Sequence, residues 1–357
     1  MKNLRFISGC FATLTLVVAG CSDAAPPESV DAEYQKQIAD GMQASIAGEI
    51  SDWRAAAVKL CEAAPAPTGR GWDRKLDAAA ITAMKAAWKT ARVHYEHIEG
   101  AVAPLFPQLD AATDARYDDI LSELGAEGDA NLFDDQGVIG MHAIERILYA
   151  DTIPAEVVAF ESKLPGYVAA AYPATEAEAA AFKTKLCPRL VADMTELQDQ
   201  WKPAKLDIGA AFQGLISLMN EQHEKVNKAS TGQEESRYSQ MTLADIHANL
   251  DGTEKIYALF QPWLLSKARG SDADKGITDG FEALHVAYDA NPGDTIPSPP
   301  ATWSATPTAE DLATPFGKLF QAVSFAVDPA RDGSVVFEMN EAAGVMGLPG
   351  FTGGEQK

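Results

Sequence analysis

Two short spacings in this sequence could hold a cation. Gly140-Met141-His142-Ala143-Ile144-Glu145 puts an imidazole and a carboxylate three residues apart. On a helix the two project from one face, one turn apart, and can share a metal ion. Gly140 would let another backbone approach closely at the helix start. The same spacing equally suits a histidine near a helix N-terminus and a glutamate paired with Arg146. Among six histidines and 51 acids one chance match is expected, so this motif alone assigns nothing.

The second spacing is Arg92, Glu96 and Glu99, at i, i+4 and i+7, with His94 and His97 one turn apart on a neighbouring face. Two glutamates or the histidine pair could supply ligands. An exposed charged stripe with an Arg92–Glu96 pair, worth a few tenths of a kcal/mol, is the plainer reading. Asp114 and Asp118 share a helix face, and that pattern also suits a helix start. Asp134-Asp135-Gln136-Gly137 reads as a turn. Asp245, Asn249 and Gly252 lie on one face, with Thr242-x-x-Asp245 a capping pattern and Gly252 a close helix contact.

Several chemistries are missing. His223-Glu224 is followed by Asn227 where a zincin needs its second histidine. No G-x-S-x-G, Walker A loop or G-x-G-x-x-G is present. The 357 residues carry 29 Lys+Arg against 51 Asp+Glu, a net charge of −22. That excess opposes nucleic-acid binding, which needs clustered cations, and adsorption to anionic lipid. Hydrophobic residues make up 46%, enough for a sizeable core and too many for a disordered chain.

Residues 1–20 read as an export signal: Lys2 and Arg5, an apolar run over about 6–19, then Val18-Ala19-Gly20-Cys21. Small residues before a cysteine suggest a lipoprotein signal, leaving Cys21 as the lipidated N-terminus; cleavage near Ala24 or Ala25 is the alternative. Losing Lys2 and Arg5 takes the net charge from −22 to −24. Asp23 at the third mature position, rather than the second, favours the outer membrane. Cys61 and Cys187 then remain, and in an oxidising compartment they are a disulfide candidate; two separate buried thiols are the alternative.

The elements that must position these groups are helices. Residues 22–31 read as a polar tether, and an Ala-rich helix follows from 32 to about 64. Ile81, Met84, Trp88, Ala91, Tyr95 and Ile98 step by three and four, the clearest helix in the chain, ended by Pro104 and Pro107. Another helix is expected from near Ala112, a loop over 125–137, and a helix over 140–149. Residues 175–200 read as helical with Pro188 a kink or boundary, and 206–228 as helical. Leu243, Ile246, Leu250, Thr253, Tyr257 and Phe260 step as a helix that Pro262 stops. Residues 291–307 carry five prolines and read as a loop, and Thr314-Pro315 opens a helix. Ser334-Val335-Val336-Phe337 is the one short strand candidate. The expected class is all-α: two bundles, residues 32–203 and 204–357, after the signal (1–20) and tether (21–31).

Taken together, four motifs in order resemble the imelysin superfamily, closest to its EfeO/EfeM branch of periplasmic iron-uptake proteins. They are Trp88-Lys89-x-x-Arg92-x-x-Tyr95-x-x-x-Glu99; Asp114-Ala115-Arg116; Gly140-x-His142-x-x-Glu145; and Glu235-x-Arg237-Tyr238-Ser239-x-x-x-Leu243-x-Asp245-x-x-Ala248-Asn249-x-x-Gly252. The resemblance runs from about 44 to 262, and more loosely to the end. It implies two four-helix bundles with a metal site around the G-x-H-x-x-E helix. Carried onto this chain, the ligands would be His142, Glu145, Glu99 and Asp114, with Glu96 in reserve. One imidazole and three carboxylates suit iron, manganese or zinc rather than copper(I); the resemblance, not the ligand set, points to iron, as Fe²⁺ or Fe³⁺. Neutral His142 is needed for coordination, so affinity should fall below about pH 6. Nothing strand-rich precedes residue 32, so the short form without a cupredoxin domain is expected. Implied partners are an inner-membrane iron permease and a haem-dependent peroxidase, with the membrane reached only through the lipid anchor. A metallopeptidase and an acidic-polysaccharide-binding lipoprotein are the competing functions.

Overall fold

The computed structural model describes residues 30–351. The signal, Cys21 and most of the tether lie outside them. Among the described residues the regular structure is helical. The helices are α1 (Val30–Ala63), α2 (Ala78–Glu96), α3 (Glu99–Leu105), α4 (Pro107–Asp114), α5 (Tyr117–Leu124), α6 (Gly140–Leu148), α7 (Ala155–Glu161) and α8 (Glu176–Ala181). The chain continues through α9 (Cys187–Trp201), α10 (Ile208–Lys228), α11 (Thr242–Leu265), α12 (Gly270–Asp289), α13 (Ala309–Leu312), α14 (Pro315–Ala326) and α15 (Val335–Met346). None is long and apolar enough to cross a membrane.

The long helices form where apolar residues recur by three and four. On α2, Ile81, Met84, Trp88, Ala91 and Tyr95 are all buried. Helix α1 lays Ile38, Met42, Ile46, Ile50 and Trp53 against α2, α9 and α11. Trp53, Trp88, Trp201 and Trp263 are fully enclosed, and one apolar cluster runs from Ile38 to Met346. A smaller cluster, Tyr117, Leu121, Leu132, Val138 and Ala143, sits under the 125–139 loop and steadies it against α6.

Several boundaries differ from the sequence expectation. Helix α1 is already formed at Val30, the first described residue, and Asp31 in it is held by Lys267 (2.6 Å) and Trp263 Nε1 (3.0 Å). Pro107 opens α4 rather than ending a helix, at the first position where its missing N–H costs nothing. Helix α4 therefore ends at Asp114, where a helix had been expected to be starting. Pro104 sits within α3, and α11 continues through Pro262 for one more turn. Ser334 is an N-cap, not a strand residue: its hydroxyl accepts the Phe337 N–H at 3.1 Å and opens α15. Helix α12 went unread, although Ile277, Phe281, Leu284 and Tyr288 are its buried stripe. Pro188 does mark a boundary, directly after a π-helical turn at Phe182–Leu186 that leads into α9.

Cys61 at the end of α1 and Cys187 at the start of α9 are joined as a disulfide, with Cα atoms 5.5 Å apart. It closes a segment of 126 residues. A loop of that length should lose on the order of 5 kcal/mol of unfolded-state entropy when cross-linked, and native disulfides contribute about 2–5 kcal/mol in practice. Reduction, or Cys61→Ser with Cys187→Ser, should therefore lower unfolding stability by about 2–5 kcal/mol, read by denaturant titration with and without reductant.

Candidate metal centre

The site is assembled from chain segments that meet at the C-terminal end of α2. Helix α2 brings Arg92 and Glu96, α3 brings Glu99, and Asp114 is the last residue of α4. His142 and Glu145 enter on the first turns of α6, and Lys225 comes from α10. Glu235 stands in the loop before α11, which itself carries Asp245 and Asn249. Two glycines set the close approaches. Gly140 has φ +90°, and a Cβ there would stand 2.8 Å from the Thr113 carbonyl oxygen. Only glycine lets the start of α6 lie against the end of α4, which puts His142 beside Asp114. A Cβ on Gly252 would stand 2.1 Å from the His97 carbonyl oxygen, so α11 packs directly on the end of α2. The Trp88 indole N–H adds a tie, donating to the Met141 carbonyl at 2.9 Å.

His142 is 1% exposed. Its Nδ1 lies 2.9 Å from Glu145 Oε2. The other Glu145 oxygen accepts the Ser239 backbone N–H (2.8 Å) and hydroxyl (2.7 Å). Glu145 thus bridges the imidazole and Ser239, and a carboxylate on the second ring nitrogen is a common companion of metal-ligating histidines. Nε2 is left with no hydrogen-bond partner and faces Glu235 Oε1 at 3.4 Å and Asp114 Oδ1 at 3.5 Å. These three donor atoms lie within 4.8 Å of one another. One nitrogen and two carboxylate oxygens converging on a small volume fit a hard or borderline cation.

The expected ligands are therefore distributed over several roles. His142 Nε2 and Asp114 lie 3.5 Å apart, and Glu235 joins them at 3.4 Å from the same nitrogen. Glu145 sits on the far side of the imidazole. Glu96 pairs with Arg92 and accepts from the Asn249 amide at 2.5 Å. Glu99 accepts from Lys225 (3.2 Å) and Asn249 (2.9 Å). Asp118 accepts from Arg237 at 2.8 Å, so it is taken up elsewhere. Asp134 shapes a turn, its carboxylate accepting the Gln136 N–H at 3.0 Å. Thr242 does not cap α11; its hydroxyl accepts the Ser236 N–H at 3.1 Å, and Asp245 belongs to the acid cluster instead. Glu235 stood in the fourth motif without a role. It lies in a loop, where no periodicity assigns it a face.

Charge explains why the cluster tolerates burial. Arg92, 1% exposed, pairs with Glu96 and Asp114 and lies 3.2 Å from Glu235 and 3.6 Å from Asp245. Lys225 Nζ adds Glu99 at 3.2 Å and Glu96 and Glu235 at 3.7 Å each. Burial works against ionised Glu235, but Lys225, His142, Arg116 and Arg92 hold its carboxyl well below the ordinary value. Burial dominates at Glu96 and pushes that carboxyl well up despite Arg92 and Lys225. Burial and the Arg92 charge pull the His142 pKa down, yet Glu145, Glu235 and Asp114 outweigh them and raise it to about 9.

The centre is reached from outside by a cleft of about 870 Å³. Asp114, Glu235 and Glu99 line it together with Asp110, Asp118, Asp119, Glu123, Glu221 and Glu224, and Arg116, Lys225 and Lys228 are the cations of the lining. Burial and neighbouring Asp114 push Asp110 up to about 8, although the Tyr95 hydroxyl donates to it at 2.6 Å. Such a lining draws cations inward and repels anions.

The imelysin family profile, which also carries the peptidase class label M75, matches residues 38–314. The chain belongs to the imelysin family. The iron uptake system component EfeM of Pseudomonas syringae is 28% identical over 289 residues, covering 77% of this chain and 85% of that one. The component EfeO of Yersinia pseudotuberculosis is 30% identical over 204 residues, 56% of this chain but 41% of its own length. A crystal structure of a protein described as an iron-regulated protein A precursor from Parabacteroides distasonis superposes with a TM-score of 0.51, covering 91% of this chain and 96% of that one. At 14% identity that likeness is one of fold.

Two outcomes follow from this geometry. A cation must displace the His142 proton, so apparent affinity should rise with pH up to about 9, by at most about tenfold per pH unit for one proton. The expected fall below about pH 6 is thereby moved upward, because three carboxylates hold that proton; calorimetry across a pH series, in buffers of different ionisation heat, reads it directly. Gly140→Ala should separate α6 from α4, at a strain of roughly 1–3 kcal/mol, and weaken metal binding while leaving helix content by circular dichroism intact.

Proposed function

We propose that this protein captures iron in the periplasm and passes it to an inner-membrane permease. The observation that carries the reading is His142 Nε2, which makes no hydrogen bond and converges with Asp114 and Glu235 at the inner end of an acidic cleft. The names of the EfeM and EfeO relatives supply the metal. Lipidation at Cys21 would tether the chain to the envelope and keep capture beside the membrane, and a haem-dependent peroxidase belongs to the same proposal as a second partner. The division into two bundles at residue 203, between α9 and α10, is part of this reading.

Iron is cargo here, so the site must release as well as hold. Arg92 already contacts Asp114 and Glu235, and those carboxylates keep a counter-ion when the metal departs. The ligands sit on α4, α6 and a loop, so a small shift of one segment opens the set.

Neither competing function draws support from the geometry. A metallopeptidase needs a free general base beside the metal, and both Glu145 oxygens are already engaged. An acidic polysaccharide would meet a cleft lined by nine acidic side chains and three basic ones.

Iron titration of the purified protein tests the proposal. About one tight equivalent of Fe²⁺ or Fe³⁺ is expected. His142→Ala should abolish it, Glu235→Gln should weaken it at least about 100-fold, and Glu145→Gln should cost about 10–100-fold, the range for a group that orients a ligand. Undiminished binding in His142→Ala would move the site elsewhere.

A further inference from the structure

The back of the same helix end carries a second set of donors. His94 and His97, one turn apart where α2 ends, both turn Nδ1 toward Glu49 on α1. Glu49 Oε2 lies 2.8 Å from His94 Nδ1 and 3.4 Å from His97 Nδ1. One donor atom from each of the three residues falls within a 4.8 Å sphere of contacts. The other Glu49 oxygen is held by Lys255 of α11 at 2.7 Å. Burial works against ionised Glu49, but Lys255 and His94 hold its carboxyl down at about 2.

We propose that His94, His97 and Glu49 form a second metal site, separate from the His142 centre, for a divalent transition ion of borderline softness such as zinc. In a tetrahedral site with bonds of 2.0–2.1 Å, donor atoms stand about 3.4 Å apart. The His97–Glu49 separation already has that value, and the His94–Glu49 contact needs to open by only about 0.6 Å. Two nitrogens and one oxygen make a softer set than the one nitrogen and two oxygens around His142, so the two sites should rank metals differently. Their access differs as well. The side chains of His94, His97 and Glu49 are 25%, 24% and 13% exposed, whereas His142 is sealed at 1% behind the cleft. Three protein ligands leave a fourth position for water, and Lys255 is the resident counter-ion that a metal must compete with.

Zinc titration of the intact protein, by calorimetry with stoichiometry checked by metal analysis, tests this. Wild type should bind two equivalents, and the double variant His94→Ala, His97→Ala should bind one. His142→Ala should also bind one, held by the surface site. Lys255→Met should tighten the surface equivalent several-fold, and Glu49→Gln should weaken it. Should His142→Ala fail to fold, the ring signals of His94 and His97 in wild-type NMR spectra decide instead: they should shift within two zinc equivalents. Two equivalents retained by the double variant, or ring signals unmoved at saturation, would overturn the site.

Discussion

One guanidinium holds this structure's chemistry together. Arg92 is sealed from solvent and touches Glu96, Asp114, Glu235 and Asp245, drawn from α2, α4, a loop and α11. Removing one partner of a buried ion pair commonly costs about 3–5 kcal/mol, because the other is left uncompensated. Here the partners are mostly carboxylates that would otherwise repel one another. Arg92 and Lys225 neutralise part of that charge, and a negative remainder faces the His142 nitrogen that lacks a partner. The charge left over is anionic, and an anionic remainder attracts cations.

That balance works only at short range, and backbone contact sets the range. Gly140 and Gly252 press α6 on α4 and α11 on α2, closer than any side chain would allow. Asn249 then reaches Glu96 and Glu99, and Ser239 reaches Glu145. Neutral amide and hydroxyl donors satisfy oxygens that the two cations do not.

The sequence made the helices legible and left the centre partly hidden, for distinguishable reasons. Periodicity identified α2 and the body of α11, since burial imposes a three-and-four step on any helix facing a core. It mistook prolines: Pro107 begins a helix and Pro262 lies inside one, and a proline's meaning depends on its distance from a helix end. His142 and Asp114 entered the ligand set through the family resemblance, not through periodicity. Glu235 did not enter it, and a loop residue's direction is set by what packs around it. Glu145 was legible as part of the site but not in its role. Its contact with Ser239, 94 residues further on, is a product of tertiary packing that spacing does not reveal.

The same limit explains why the two histidine sets on or beside α2 look so different. His94 and His97 were visible as a pair by spacing, yet their third member, Glu49, is 45 residues from His94 on α1. His142 lay in a motif, yet its two facing carboxylates come from α4 and from a loop. In both, local spacing supplies one helix turn of donors and tertiary packing supplies the rest. Helix α2 and its end divide into two faces, Arg92 and Glu96 inward to the acid core, His94 and His97 outward to α1. A turn of helix offset by two residues therefore separates a sealed, oxygen-rich centre from an open, nitrogen-rich one. That offset is the reason a cation reaching either face meets a different ligand chemistry.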